Sequence, residues 1–307
     1  MTKKPQFDRI AIIGAGLIGS SVARAIVRAG AAGTLAVSDR DQDVLQEARE
    51  IGFADEFTAD AAEAAKDADL VVIAVPVGAM AAVGDVIAPA LKEGAIVTDV
   101  GSVKEAVFKA LDPILPKHVH LIPGHPVAGT EQSGPQAGFA SLFDGRWCII
   151  TPPEGVNKGA LNKLTKLWEA MGSTVEIMTA PHHDLVLAIT SHVPHLIAYN
   201  IVGTASDLEE VTRSEVIKYS AGGFRDFTRI AASDPTMWRD VFLSNKDAVL
   251  EMLGRFSEDL TALQRAIRWG DGDALFDLFT RTRDIRRRII DAGQDEEAAD
   301  FGRHHED

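Results

Sequence analysis

The chain has 307 residues, 46% hydrophobic and 25% charged, which is an ordinary composition for a soluble protein and enough chain for two domains. With 45 acidic against 31 basic residues the net charge is −14, which argues against nucleic acid or an anionic membrane as partner and leaves any anionic substrate dependent on local cations. The single cysteine, Cys148, excludes a disulfide framework, residues 1–9 are polar, and no apolar run approaches the ~18 residues of a membrane span, so a cytoplasmic setting is expected.

Residues 8–13 are a short β-branched run ending in Gly14-Ala15-Gly16-Leu17-Ile18-Gly19, and residues 20–29 have helical character. Strand, glycine turn and helix in that order are the context a dinucleotide site needs, because the second glycine lets the backbone approach a pyrophosphate that the helix N-terminus favours. Leu17 and Ile18 then present the first helical amides. The next strand, residues 34–38, runs into Asp39, whose carboxylate suits a ribose 2′-hydroxyl and so favours NAD; the adjacent Arg40 keeps NADP open.

Helix is expected over residues 41–51 and 60–66, strand over 69–75, where Val75 and Pro76 close the strand beside the cofactor, and helix to residue 90. A strand over 95–100 leads to Ser102 and Lys104 and another helix. Residues 119–122 read as a buried strand opening into the turn Gly124-His125-Pro126-Val127-Ala128-Gly129-Thr130-Glu131, which packs an imidazole, a hydroxyl and a carboxylate into a few residues. Strand 147–151, helix 158–171 and strand 174–178 complete an alternation that predicts a doubly wound, mostly parallel Rossmann-type sheet over residues 1–179.

From residue 180 to 292 only helices are expected. Residues 182–202 are apolar almost all round, which predicts a helix buried in a bundle or a subunit interface, kinked at Pro194, with His192 and His195 on one side. His182 and His183 read as a helix start ahead of Asp184. No metal is expected, because zinc takes three or four ligands and no cysteine is at hand. Further helices are expected at 208–220, 235–269 and 273–292, the last with a solvated or interface-flanking arginine face, followed by a disordered tail over 293–307. Between them, Gly222-Gly223 is a loop-like pair leading to Arg225 and Arg229, four residues apart and suited to bidentate carboxylate binding, then to Trp238. For Arg225 an internal salt bridge to Asp226, Asp234 or Asp240 competes with that role.

Jointly, residues 14–21, 99–104, 124–131, 191–195 and 222–238 make the sequence resemble the prephenate/arogenate (cyclohexadienyl) dehydrogenase family of tyrosine biosynthesis over residues 9–292. The resemblance implies a Rossmann domain, an all-helical dimerisation domain forming a homodimer, and oxidative decarboxylation of a cyclohexadienyl substrate with NAD(P)+. It also implies that His125 is the catalytic histidine, Ser102 its partner near the substrate hydroxyl, and Arg229 the carboxylate anchor. Arg225, His192, His195, Thr130, Glu131 and Trp238 would line the pocket. Chemically, a neutral imidazole suits removal of the ring-hydroxyl proton as the carbon beneath it loses hydride.

The strand opening at Asp8 and the polar stretch after Ala292 lead us to expect neither an N-terminal chorismate mutase segment nor a C-terminal regulatory domain, so feedback by tyrosine would act at the active site. Two competing readings are a β-hydroxyacid dehydrogenase and a non-catalytic NAD-binding sensor. The first uses a lysine from a G-x-x-x-K helix motif, which does not occur after residue 180; the joint presence of His125, Ser102 and Arg229 speaks against the second.

Overall fold

The computed structural model describes residues 4–130, 132–207 and 222–290. The chain divides into two compact units, one ending at Leu250 and one beginning at Glu251. Glu131, the helix expected at 208–220 and the tail expected over 293–307 lie outside the described residues.

The first unit is built on a six-stranded parallel sheet of order β3-β2-β1-β4-β5-β6. Its strands are β1 (Phe7–Ile13), β2 (Ala32–Ser38), β3 (Glu56–Thr58), β4 (Leu70–Ile73), β5 (Ile96–Asp99) and β6 (His120–Leu121). Side chains alternate between the faces, so Ile10 and Ile12 of β1 enter one apolar cluster while Ala11 and Ile13 enter the other. The first cluster is covered by α1 (Leu17–Ala29) and α6 (Lys158–Ala170), through Val22, Ile26, Leu164 and Trp168. The second is covered by α4 (Met80–Ile87) and α5 (Lys104–Leu111), through Met80, Ile87, Val107 and Leu111. Burial on both faces is why these strands read as continuous apolar runs. Two further helices, α2 (Gln42–Ile51) and α3 (Ala61–Ala65), each begin on an aspartate whose side chain accepts two backbone N–H bonds, Asp41 and Asp60 respectively.

Where a single alternating sheet was expected, a second sheet of three strands is found. It contains β7 (Gly124–Pro126), β8 (Trp147–Ile150) and β9 (Thr174–Ile177), with β7 antiparallel to β8 and β8 parallel to β9. The residues read as a turn are therefore partly strand: Gly124, His125 and Pro126 pair with Ile150, Ile149 and Cys148. β3 escaped the sequence reading because three residues carry too little pattern.

From Ala180 the chain is helical. It runs through α7 (Ala180–Leu187), a π-turn (Ala188–His192) and α8 (Val193–Asp207). The expected proline kink takes the form of this π-turn, which ends two residues before Pro194 and absorbs the hydrogen bond that proline cannot donate. Taken as one 28-residue run, Ala180–Asp207 is long and apolar enough by length and composition to cross a membrane, which the sequence reading did not anticipate. Its buried polar groups, His183, Asp184 and His192, are engaged instead with His125, the start of α5 and Asn245, while Leu185, Ile189, Ile201 and Val202 are exposed.

The expected loop at Gly222 is the start of a helix, α9 (Gly222–Thr228), followed by a 3-10 turn (Arg229–Ala232). The single helix expected over 235–269 is two, α10 (Pro235–Ser244) and α11 (Lys246–Trp269), broken at Asn245. The last described helix is α12 (Gly272–Ile289).

Candidate active site

The glycine turn is shaped by contact as much as by conformation. Gly14 has φ 105°, outside the range comfortable for a side chain. A Cβ on Gly19 would stand 1.9 Å from the Gly14 carbonyl oxygen, so α1 can approach β1 only without one. A Cβ on Gly16 would meet nothing within 4 Å. Gly16 caps α1 with no side-chain hydrogen bond and no acidic residue follows in the first turn, so the amides at Leu17 and Ile18 face open space with the positive end of the helix. That is a fit for a dinucleotide pyrophosphate. Asp39 lies beside the turn; its Oδ2 accepts from Ala15 N–H at 2.8 Å and its Oδ1 from Asp41 N–H at 3.0 Å. It therefore braces the turn as well as presenting a carboxylate. Arg40 is exposed next to it, and Val75 and Pro76 leave β4 on the same side of the sheet, Pro76 opening a 3-10 turn (Val77–Ala79).

Beyond the carboxyl ends of β5 and β6 a buried polar network joins three elements. Asp99, at the end of β5, and Lys104, at the start of α5, are both fully buried and ion-paired. The Lys104 ammonium also donates to the Gly124 carbonyl at 2.6 Å, and Asp99 accepts from Gly101 N–H at 2.7 Å and Gly124 N–H at 3.2 Å. Burial pushes the Asp99 carboxyl up and the Lys104 ammonium down, and their mutual attraction opposes both shifts. Ser102 lies in the turn this network braces, partly buried.

The α5 N-terminus is held from another direction by Asp184 of α7. Its Oδ1 accepts from Lys104 N–H at 2.8 Å and its Oδ2 from Glu105 N–H at 2.9 Å. His183 Nδ1 lies 2.7 Å from Asp184 Oδ1, and His183 Nε2 lies 2.8 Å from His125 Nδ1. The His125 ring is 7% exposed and meets His183 edge to face, with centroids 5.0 Å apart. Burial is the largest cause holding the His125 imidazole well below the ordinary histidine range, with the charges of His183, Lys104 and His192 acting the same way. His183 is lowered by burial too, against the pull of its bond to Asp184.

His192 is fully buried beside the Ser102 main chain, which favours its charged form; burial outweighs this and takes it down to about 4. No hydrogen bond of good geometry reaches its Nε2. Trp238 of α10 stacks on His195, with centroids 3.7 Å apart and planes 25° apart, and presents its edge to His192 at 6.1 Å. It also packs on Val103, next to Ser102. Burial lowers His195, and the positive charge of Arg229 lowers it further.

Of the side chains singled out in the sequence, the fold thus brings together His125 and Ser102 around the α5 N-terminus, and His192, His195, Trp238 and Arg229 beside them. Arg225, on α9, and Arg229, one turn on, are both exposed, while Asp240 pairs with Arg239 and Asp234 caps α10. Thr130 is exposed after β7, its hydroxyl accepting from Gln132 N–H at 3.3 Å. The segment following it is pinned to α1 by Phe139 N–H on Ser21 Oγ at 3.2 Å and by Arg24 on the Pro135 carbonyl at 3.1 Å. Three residues of the network, His183, Asp184 and Asn245, went unmarked or were read as helix-start residues. The available signal was a histidine directly preceding an aspartate in an otherwise apolar helix.

Comparison with known proteins matches the chain in two parts. Residues 22–177 match the family model for "Prephenate dehydrogenase, nucleotide-binding domain" and residues 179–281 that for "Prephenate dehydrogenase, dimerization domain". The chain is 45% identical over 280 residues to a cyclohexadienyl dehydrogenase of Zymomonas mobilis, covering 91% of this chain and 95% of that one. It is 32% identical to a prephenate dehydrogenase of Bacillus subtilis, over 91% of this chain and 75% of the other. Among solved structures it resembles prephenate dehydrogenase from Aquifex aeolicus in complex with hydroxyphenyl propionate and NAD+, with TM-score 0.87 and 33% identity over 94% of this chain and 100% of that one. The chain belongs to the prephenate dehydrogenase family.

Proposed function

We propose that the protein carries out the oxidative decarboxylation of prephenate, arogenate or both with NAD+, forming 4-hydroxyphenylpyruvate or tyrosine in tyrosine biosynthesis. The observation that carries the chemistry is His125: a buried imidazole, held neutral, on a strand end beyond the carboxyl edge of a dinucleotide-binding sheet. The NAD+ and hydroxyphenyl propionate in the Aquifex relative support both the cofactor and an aromatic carboxylate as product type.

NAD+, when bound, supplies the hydride acceptor. Gly14, Gly16, Leu17, Ile18, Gly19 and Asp39 would hold its phosphates and ribose, with Arg40, Val75, Pro76 and Ser102 beside it. His125 takes the proton of the ring hydroxyl as the carbon bearing it gives up hydride, and returns that proton to the same oxygen once carbon dioxide has left and the ring is aromatic. Ser102 hydrogen-bonds the hydroxyl. Arg229 anchors a substrate carboxylate by a bidentate contact, and His195, His192 and Trp238 wall the ring, with Arg225, Thr130 and Glu131 at the margin.

Functionally the chain divides into a dinucleotide-binding domain, residues 1–179, and a substrate and dimerisation domain, residues 180–292. This differs from the compact division at Leu250 because Asp184, His192 and Trp238 tie the first helices of the second domain to α5. The exposed Leu185, Ile189, Ile201 and Val202, in the stretch matching the dimerization model, support a homodimer. The unpaired Cys148 accords with a cytoplasmic setting.

The test is incubation of the protein with prephenate and with L-arogenate, each with NAD+, followed at the NADH absorbance band. Accumulation of NADH with at least one of the two substrates is the expected result, and no turnover of either overturns the reading.

A further inference from the structure

The proposed reaction needs one nitrogen of His125 with a free lone pair, and the hydrogen bonds behind the ring decide which nitrogen that is. Both Asp184 oxygens accept backbone N–H groups, from Lys104 and Glu105, and an N–H can only donate. As a carboxylate at the positive end of α5, the side chain accepts and does not donate. His183 Nδ1, 2.7 Å from Oδ1, must then carry the hydrogen of that contact. A neutral imidazole with a proton on Nδ1 has its lone pair on Nε2. That lone pair faces His125 Nδ1 at 2.8 Å, so His125 Nδ1 is the donor and His125 Nε2 is left as acceptor.

We propose that His183, itself oriented by Asp184, is a positioning residue that holds His125 in the Nδ1–H tautomer, so that Nε2 receives the substrate proton. This rests on the reading of His125 as the base. Full burial of His183 keeps it neutral, as the chain of donors requires. When His125 gains a proton, its new charge points through Nδ1–H and the neutral His183 ring toward the Asp184 carboxylate. The same carboxylate fixes the first turn of α5 just after Ser102, so base and serine turn share one reference point. Asp184 is for that reason a poor place to test the idea, since any change there also uncaps α5.

The informative substitutions are at His183. Asparagine reproduces the reach of Nδ1 and keeps the contact to Asp184 but not to His125; glutamine reproduces the reach of Nε2, and its carbonyl can accept from His125. A residue that merely packs or supports Asp184 would be replaced better by asparagine, whereas a residue that orients the base is replaced better by glutamine. We expect His183→Asn to lower kcat by about 10-fold or more while KM for substrate and NAD+ stays within about 3-fold, and His183→Gln to recover most of the loss. In a His125→Asn background neither should cost more, because the group they act through is gone. A wild-type kcat for His183→Asn, a better asparagine than glutamine variant, or a loss that persists undiminished without His125 would each overturn the proposal. A normal kcat for His125→Asn alone would instead overturn the base assignment beneath it. The tautomer can also be read with no change at His183, from 15N spectra of histidine-labelled protein with His125 assigned by its own substitution. A protonated Nδ1 and an unprotonated Nε2 are expected, and the reverse pattern overturns the proposal even if the variants fail to fold.

Discussion

The side-chain amide of Asn245 donates to Nδ1 of His192 at 3.1 Å, and the direction of that bond is set by a third group. The same nitrogen lies 2.8 Å from the Asp184 carbonyl, which can only accept, so it must be the NH2 end of the amide. His192 accordingly carries its hydrogen on Nε2. Asn245→Ala would leave the buried His192 Nδ1 without a donor and the Asp184 carbonyl with only its helical bond from Ala188 N–H, and a loss of about 1 to 3 kcal/mol in unfolding free energy is expected. Urea denaturation checks this; a change under about 0.5 kcal/mol, the scatter of an ordinary surface substitution, would contradict it.

The buried histidines give the protein an acid sensitivity of definite sign. His125, His183 and His192 are all lowered in the folded state, chiefly by burial, whereas in the unfolded chain each takes up a proton near ~6.5. The unfolded state therefore binds more protons below that pH, and stability is complete above ~6.5 and falls as pH drops toward the folded values. For His192 the span from ~6.5 to about 4 corresponds to about 3 kcal/mol. Denaturation midpoints at pH 7.5, 6 and 5 should fall steadily, over a range above that in which ordinary carboxylates titrate. Equal midpoints at pH 7.5 and 5 would show that these rings are not held neutral.

The same shift bears on catalysis with a different reading. A base works when unprotonated, so a His125 pKa well below the ordinary range places the acid limb of the kcat profile below ~6.5. Activity should hold from pH 8 down to ~6.5 and decline only beyond it. A limb centred above ~7 would assign the titration to another group.

Arg229 should bind substrate more strongly than Arg225. Both arginines are exposed, but the charge of Arg229 already reaches His195 in the cluster. Bound substrate would desolvate the Arg229–carboxylate pair, and removing one partner of such a pair costs about 2 to 5 kcal/mol, so Arg229→Ala should lose about 30-fold or more in kcat/KM, mostly through KM. Lysine lacks the planar fork and should restore only part. Steady-state kinetics of the Arg225→Ala and Arg229→Ala variants at equal NAD+ saturation decide it: a larger effect at Arg225 would move the anchor.

Asp39 has two jobs that one substitution separates unevenly. Asparagine removes the charge that a 2′-phosphate would meet, so the ratio of kcat/KM for NADP+ to that for NAD+ should rise by about tenfold, equivalent to ~1.4 kcal/mol. It also leaves one oxygen where two now accept from Ala15 and Asp41, so KM for NAD+ should rise as the glycine turn loosens. An unchanged cofactor ratio would transfer the discrimination to Arg40.

The glycine turn, Asp39 and the alternation of strands with helices were readable in the sequence because their signals are local: a strand's apolar run, a turn that only glycine fits, a helix that begins at once. His125 and Arg229 stood out by residue type and by resemblance. His183 did not, because its partner lies 58 positions away and a histidine before an aspartate also suits an ordinary helix start. Gly124 to Pro126 was read as a turn for a related reason: three residues become a strand only through pairing with β8. Asn245 is a milder case. An asparagine after serine can mark a helix end, but the apolar spacing on both sides of it suits one continuous helix as well as two.

The Lys104 ammonium bridges Asp99 of the larger sheet and the Gly124 carbonyl of the smaller one. Two sheets meeting through methyl groups alone can slip past each other by a fraction of an ångström at little cost, since dispersion contacts have no direction. Here the joint is closed by a buried ammonium and by Gly124 N–H donating to Asp99, and both contacts to Gly124 are lost when the sheets slide. Ser102 and His125 sit on opposite sides of that joint. Their spacing is thus set like a mortised corner, and a lysine that never meets solvent keeps two separate strands in step.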